Sequence, residues 1–196
     1  MKREQILESA YNDYTTYGIK RVCMDEIVQN LKISKKTLYE FFDNKEELVC
    51  EAVKYKLERE LKKFDAVRDS RQDILRNLIL RGVSCFKFFN GISPSFYNDV
   101  KFYPRLEAYF AQVKDELNSA GKEMISIGIK EGYLSPEANY DIFSQLLRSQ
   151  ILTKQKEWSE KYTPAQICFI SLVTIFRGVA TEKGRKELAE IEAAGI

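Results

Sequence analysis

The sequence predicts an all-α protein, and three observations lead to that prediction. Apolar residues recur three and four positions apart in every segment, which lines them along one side of a helix. At Ser135-Pro136 and Thr163-Pro164 a proline follows a hydroxyl residue, as it does where a helix begins. No segment alternates apolar and polar residues in the manner of a half-buried strand.

A short amphipathic helix is predicted near residue 27, followed by a tight turn. Met24, Ile27, Val28 and Leu31 repeat at helical spacing, so they share one face. The tripeptide Lys32-Ile33-Ser34 then leaves room for the turn. A second helix directly after this turn would complete a helix-turn-helix unit.

That second helix is predicted to begin at Ser34, whose hydroxyl suits an N-cap. Leu38, Phe41 and Phe42 fall at i, i+3 and i+4, so we expect them to point into a core. The residues expected to face outward are Lys35, Lys36 and Tyr39. A helix this short must be held by tertiary packing, and its polar outer face suits the major groove of DNA. DNA binding is therefore the first hypothesis.

A third helix follows at once. Asp43 or Asn44 can cap it, because each precedes a glutamate, Glu46 or Glu47, by three residues. Lys45 lies in its first turn, where free N–H groups and the helix dipole favour a phosphate.

The run from Ile6 to Leu48 resembles the N-terminal domain of the tetracycline-repressor (TetR) family of bacterial transcription regulators. The residues that carry the resemblance are Ile6, Leu7, Ala10, Gly18, Asp25-Glu26-Ile27, Ser34-Lys35-Lys36-Thr37-Leu38-Tyr39, Phe42 and Lys45-Glu46-Glu47-Leu48. The resemblance implies a helix-turn-helix DNA-binding domain at residues 1–47 and a helical ligand-binding and dimerisation domain at residues 48–196. The expected DNA-binding residues are Ser34, Lys35, Lys36, Thr37, Tyr39 and Lys45.

Several residues depart from the family pattern. Cys23 stands where a threonine usually caps the second helix, and a thiol is a poor substitute for a hydroxyl. Lys32 replaces the usual glycine of the turn and would be strained at positive φ. Glu40 replaces a common basic residue, and residues 1 to 50 hold eight basic and nine acidic side chains, a net charge of −1. These departures motivate an alternative: a helical homodimer that acts through protein–protein contacts without sequence-specific DNA binding.

The resemblance also implies an effector pocket in the C-terminal domain. An aromatic-rich passage from Ser93 to Tyr109, which follows the break at Gly91, is expected to be irregular and to help form it. The expected ligand-binding residues are Phe86, Phe89, Tyr97, Phe102, Tyr103, Phe110 and Phe143. Twelve Phe and eleven Tyr in one chain also suit a simple core. We expect a small apolar or aromatic effector, of unknown identity.

Two late helices are the expected dimer interface, because family members pair such helices in a four-helix bundle. The segment Ile167 to Val179 is apolar almost all round, so a second apolar face needs a partner. The expected interface residues are Ile142, Leu146, Ile151, Phe169, Leu172 and Phe176. A central core helix is the competing interpretation.

Composition excludes several classes of protein. The chain contains no histidine, so it has neither a Ser-His or Cys-His nucleophile nor a histidine metal ligand. We therefore expect no enzyme, no catalytic residue, no metal site and no cofactor. The four cysteines form no CxxC pair and no apolar run is long enough to span a bilayer, which favours a cytoplasmic protein without membrane contact. The sequence as a whole predicts a homodimeric, ligand-responsive repressor that binds double-stranded operator DNA.

Overall fold

The structure is a computed structural model that describes residues 3–66, 73–145 and 162–195. These residues form helices and no strand, apart from an isolated antiparallel bridge between Leu134 and Ala180. The all-α prediction is confirmed. No helix within the described ranges is long and apolar enough to cross a membrane.

The helices are α1 Arg3–Tyr17, α2 Met24–Leu31, α3 Lys35–Tyr39, α4 Lys45–Ala66, α5 Ile74–Asn90, α6 Pro94–Val100, α7 Pro104–Lys130, α8 140–145, α9 Pro164–Val179 and α10 Glu182–Ala194. The chain divides into two compact units. Unit 1 comprises Met1–Lys63 and Phe88–Glu116, and unit 2 comprises Phe64–Lys87 and Leu117–Ile196. The predicted domain division at residues 47 and 48 stays a prediction.

Most predicted helix ends agree with the structure, and two differ. Thr163 caps α9 through the N–H of Gln166, as its sequence predicts. The helix predicted to begin at Ser135 begins later, because the side chain of Asn139 accepts from the N–H of Ile142 at 3.1 Å. The passage expected to be irregular contains α6, whose N-cap is Ser93.

Unit 1 has a core built from α1 and the helix-turn-helix. The apolar face of α1 is fully buried, and α1 packs on both α2 and α6. The side chains that meet in this core, each at most 1% exposed, are Ile6, Leu7, Ala10, Tyr14, Ile27, Leu38, Phe42 and Leu48. Because two of them come from the α3 region, this short helix is fixed by burial rather than by its own propensity.

Backbone contacts join α6 to the end of α1. The N–H of Lys20 donates to the carboxylate of Asp99 at 2.8 Å, and the N–H of Ser93 donates to the carbonyl of Thr15 at 2.8 Å. Gly18 has φ +95°, and a Cβ there would lie 3.1 Å from the Cβ of Ser95. A side chain at position 18 would therefore be strained and would push α6 away.

Unit 2 has a separate core in which α9 is central. The buried residues of α9 are Ile167, Cys168, Phe169, Leu172, Val173 and Phe176. The ring of Phe143 lies 5.0 Å from that of Phe176, measured between centroids. Two hydrogen bonds flank the isolated bridge. The N–H of Ser135 donates to the carbonyl of Val179 at 2.8 Å, and the N–H of Thr181 donates to the carbonyl of Tyr133 at 3.0 Å.

Three of the expected interface residues belong to this core. Phe169, Leu172 and Phe176 are 6%, 2% and 3% exposed, so they pack inside unit 2, and their part in an interface stays a prediction. Their burial agrees with the competing interpretation of a core helix. Ile142 is 55% exposed, and Leu146 and Ile151 lie outside the described residues. The large apolar residue that α9 leaves exposed is Ile170, at 52%.

Candidate nucleic-acid interface

Helix α2 packs against α3 and has defined ends. At its start, the carboxylate of Glu26 accepts from the N–H of Cys23 at 2.8 Å. At its end, Lys32 adopts the left-handed conformation with φ 52° and ψ 44°. The N–H of Ile33 then donates to the carbonyl of Val28 at 3.1 Å, which closes the turn. The turn therefore needs the positive φ that its lysine tolerates poorly.

The start and the inner face of α3 follow the sequence prediction. The hydroxyl of Ser34 accepts from the N–H of Thr37 at 3.0 Å and lies 2.8 Å from the Thr37 hydroxyl. Leu38 and Phe42 are 0% and 1% exposed. Together these contacts orient a five-residue helix that would not be stable alone.

The prediction that Phe41 points into the core is wrong, since its side chain is 38% exposed. At about 100° per residue, Phe41 and Phe42 lie on opposite sides of Leu38 along the helix perimeter. A short helix that packs mainly on one neighbour buries only a narrow sector, and Phe42 occupies it. Phe41 is left at the edge of the outer surface.

The outer face of α3 carries charged and aromatic side chains. The amine of Lys35 lies 2.8 Å from a carboxylate oxygen of Asp25, and this hydrogen bond raises the pKa of Lys35. Lys36 is exposed without such a partner within the described part of the chain, Tyr39 is 50% exposed, and Thr37 is half-buried. Asp25 was missed by sequence reasoning, because a pair ten residues apart across a turn follows no helical period.

The start of α4 completes the surface. The side chain of Asn44 accepts from the N–H of Glu47 at 2.9 Å, so Asn44 is the cap among the two candidates. The carboxylate of Glu47 accepts from the N–H of Asp43 at 2.6 Å. Lys45 is half-buried, and desolvation lowers its pKa although Cys23 and Glu26 at the start of α2 act in the opposite direction.

The electrostatics of this corner suit an anion. Lys45 lies in the first turn of α4, and Cys23, Asp99 and Glu26 act electrostatically to raise its pKa. Helix N-termini present free N–H groups and a partial positive charge, which attract phosphate. The described residues contain no cluster of three or more potential metal ligands. The chemistry available is hydrogen bonding and ion pairing to a polyanion.

The expected ligand-binding residues fall in both units. Phe89, Tyr97, Phe102, Tyr103 and Phe110 belong to unit 1, and Phe86 and Phe143 belong to unit 2. In unit 1 the hydroxyl of Tyr97 donates to the carbonyl of Phe89 at 3.1 Å, and its ring lies 6.4 Å from that of Phe110. Phe102 stands apart, with the amine of Lys20 3.2 Å from its ring centroid.

An open cleft in unit 2, of about 550 Å³, has a different lining from the one predicted. Its walls are formed by Asp73, Tyr133, Glu182, Lys183, Lys186, Glu187 and Glu190. Its side chains are mostly charged, and none was expected to bind an apolar effector. The predicted effector residues stay a prediction.

Comparison with known proteins places the helix-turn-helix surface in a family. Residues 6–52 match the sequence profile of the bacterial regulatory proteins of the tetR family. The uncharacterised HTH-type transcriptional regulator YhgD of Bacillus subtilis is 40% identical over 50 residues, which are 26% of this chain and 26% of YhgD. The match therefore spans about a quarter of that relative and coincides with the surface described above.

Solved structures share the fold over most of the chain. The transcriptional regulator FadR of Bacillus subtilis, in complex with stearoyl-CoA, is 16% identical with a TM-score of 0.68, and the match covers 91% of this chain and all of FadR (100%). A Saccharomonospora viridis protein described as a transcriptional regulator, in complex with choline, is 14% identical with a TM-score of 0.74, covering 92% and 98%. At such identities the likeness concerns the fold. Residues 6–52 of the chain are therefore similar to the DNA-binding part of the bacterial regulatory proteins of the tetR family, and the chain as a whole shares the fold of solved transcriptional regulators.

Proposed function

We propose that the chain is a homodimeric transcription regulator that inserts α3 into the major groove of double-stranded operator DNA. The observation that carries this proposal is the construction of α3. Two buried side chains, Leu38 and Phe42, fix its inner face, and its outer face stays polar and exposed. The N-termini of α2 and α4 supply phosphate contacts beside it. Base contacts specify the sequence, and phosphate contacts set the register.

The proposed roles follow from this geometry. Lys36 supplies base contacts, and Thr37, Tyr39 and Lys45 hold phosphates, with Ser34 as the cap that orients them. Lys35 reaches DNA only by leaving Asp25, so we assign it a contact at the flank of the groove. The half-buried position of Lys45 keeps its amine poorly hydrated, and a phosphate oxygen would restore the lost interaction.

A dimer is part of the proposal because one recognition helix contacts too few bases for a specific site. Two copies related by a twofold axis would read half-sites roughly 34 to 36 Å apart. Exposed apolar side chains on unit 2, Ile142 and Ile170, support a contact between copies. Single exposed Ile side chains are common on protein surfaces. These two belong to the two helices expected at the interface, so we propose that both contact the second copy.

Effector control is the finer part of the proposal, with the chain acting as a repressor. Stearoyl-CoA and choline are bound by two other proteins of this fold. They support the proposal that this chain binds a small molecule and do not indicate its chemical class. For this chain we propose a small apolar or aromatic effector. By linkage, an effector that releases DNA must bind free protein more tightly than the DNA complex, by the same factor. We propose that effector binding changes the DNA-binding surface through the contacts of α6 with Thr15 and Lys20.

The primary experiment is footprinting of the purified protein on the DNA that flanks its own gene. A protected site with twofold symmetry is the expected result. The competing function, a homodimer that acts through protein contacts, is favoured by the net charge of −1 over residues 1 to 50 and by Glu40 on the outer face. Binding that is absent, or equal on all sequences, would support the competing function instead.

The phosphate role of Lys45 has a sharper test. Lys45→Ala should weaken binding to operator and random DNA about equally and reduce the salt slope by about one unit per protomer. Lys186→Ala, the same charge change in unit 2, is the matched control and should leave both unchanged. Equal behaviour of the two variants would refute the phosphate assignment.

The proposed interface has a separate test. Ile170→Arg places a charge on the exposed side of α9, so the variant should stay folded but run as a monomer by light scattering. Operator affinity should fall with the dimer. A variant that remains dimeric and binds operator normally would show that the interface lies elsewhere.

The effector proposal is tested by screening apolar and aromatic compounds for both thermal stabilisation and operator release. Phe89→Ala or Tyr103→Ala should weaken release while leaving the affinity for operator without effector unchanged. Compounds that stabilise the protein but never release DNA would count against effector control, and DNA binding would be unaffected by that outcome.

A further inference from the structure

The centre of the outer face of α3 is occupied by Lys36 and Glu40. At about 100° per residue, positions two before and two after Leu38 lie almost opposite it. Leu38 is fully buried, so Lys36 and Glu40 point most directly away from the protein, and both are exposed. Glu40 caps the helix with φ −69° and ψ −21°, so its side chain still follows the helical direction.

The two side chains are free to meet DNA, unlike their neighbour Lys35. Lys35 is held by Asp25 at 2.8 Å. Neither the Lys36 amine nor the Glu40 carboxylate has a hydrogen bond or ion pair in the described part of the chain. The groove therefore meets one basic and one acidic side chain rather than two adjacent lysines.

Spacing determines what such a pair can read. Residues four apart on a helix are separated by about 6 Å along its axis, and stacked base pairs by about 3.4 Å. The pair thus reaches the same or neighbouring base pairs, up to two steps apart. An ammonium donates to guanine O6 and N7, and a carboxylate accepts from the N4 amine of cytosine.

We propose that Glu40 is a specificity-determining residue that selects cytosine in each half-site, next to a guanine read by Lys36. Guanine and thymine present acceptor oxygens in the major groove, which repel a carboxylate, and adenine sets its amine beside the N7 acceptor. The negative charge of Glu40 lowers the affinity for DNA in general. The affinity that remains is highest for sites with a G·C-containing step. The net charge of −1 over residues 1 to 50 then reflects selectivity rather than lost DNA binding. This inference rests on the proposed function.

The test is selection of binding sites from random DNA by the full chain and two charge-matched variants. Glu40→Gln keeps the shape of the side chain, and glutamine prefers adenine. We expect the wild type to enrich a cytosine that Glu40→Gln no longer selects, with a change of about tenfold or more at that position. Asp43→Asn removes the same charge outside α3. It should raise affinity for all DNA without changing the selected sequence.

The outcomes separate this inference from the proposed function. If the wild type enriches no sequence, the proposed function fails and the inference fails with it. If the wild type and Glu40→Gln enrich the same sequence, the proposed sequence-specific DNA binding is supported and the proposed role of Glu40 is refuted. Lys36→Ala provides a second arm, because it should abolish selection of a guanine within two steps of that cytosine. Selection of that guanine by Lys36→Ala would overturn the pairing.

Discussion

Helices α3 and α9 show how differently a sequence pattern can specify burial. Helix α3 has five residues, of which Leu38 alone is buried, and its opposite face is charged. Helix α9 has sixteen residues, and apolar side chains occur on nearly every side of it. Because one side of α3 is apolar and the other is charged, the spacing of its residues predicts which side faces inward. The uniformity of α9 leaves the choice of the buried face to packing.

The largest expected effect contrasts two residues of α9 that look alike in sequence. Phe176→Ala removes a ring from the core of unit 2 and should cost about 3 to 5 kcal/mol of the free energy of unfolding. Ile170→Ala, on the exposed side, should change it by less than about 0.5 kcal/mol. Urea denaturation followed by circular dichroism measures both. Similar losses for the two variants would contradict the orientation of α9.

Thiol reactivity extends the contrast to the two units. Cys23 at the start of α2 is exposed, whereas Cys168 of α9 is fully buried and burial raises its pKa to about 12. The thiolate is the reactive form, so at pH 8 Cys168 should react at least about a hundredfold more slowly with an alkylating reagent. Its labelling should increase only as pH approaches 12 or on unfolding. Peptide mass spectrometry resolves the sites, and early labelling of Cys168 would show that the core of unit 2 is open.

A smaller effect tests the start of α4. Asn44→Ala removes the side chain that accepts the N–H of Glu47 and should cost about 1 kcal/mol of stability. Asp43→Ala is the matched control at the other candidate position, expected to change stability by less than about 0.5 kcal/mol. Thermal denaturation distinguishes them. The reverse order would assign the cap to Asp43.

The smallest effect is a gain in stability, at the turn before α3. Lys32 has φ 52°, the one non-glycine residue with positive φ in the described ranges. Lys32→Gly should therefore stabilise the protein by up to about 1 kcal/mol, because glycine adopts this conformation without steric cost. Lys32→Ala retains the Cβ and should not gain. A destabilised glycine variant would indicate that the lysine side chain contributes a contact that outweighs the strain.

The electrostatic details of the α3 surface depend on neighbours that are distant in sequence. The ion pair of Lys35 with Asp25 and the outward direction of Phe41 both arise when α2 and α3 pack together. Local spacing is compatible with either outcome at each of these positions. In the packing that the structure has, Leu38 and Phe42 are both buried.

The sequence by itself determined the helical class, the helix-turn-helix and its main caps. These depend on interactions within four residues, such as the bond from the Thr37 N–H to Ser34, and local spacing encodes such interactions directly. It also determined the similarity of residues 6–52 to the tetR family, through the ungapped run of residues around α3.

Only the tertiary structure decided which apolar residues of unit 2 are core. Phe176 and Ile170 carry the same sequence signal, and the difference between them comes from which side of α9 meets other helices. It also decided that Lys35 is paired with Asp25 of α2. Burial and ion pairing between distant residues depend on how helices pack, and local helical periodicity does not specify that packing.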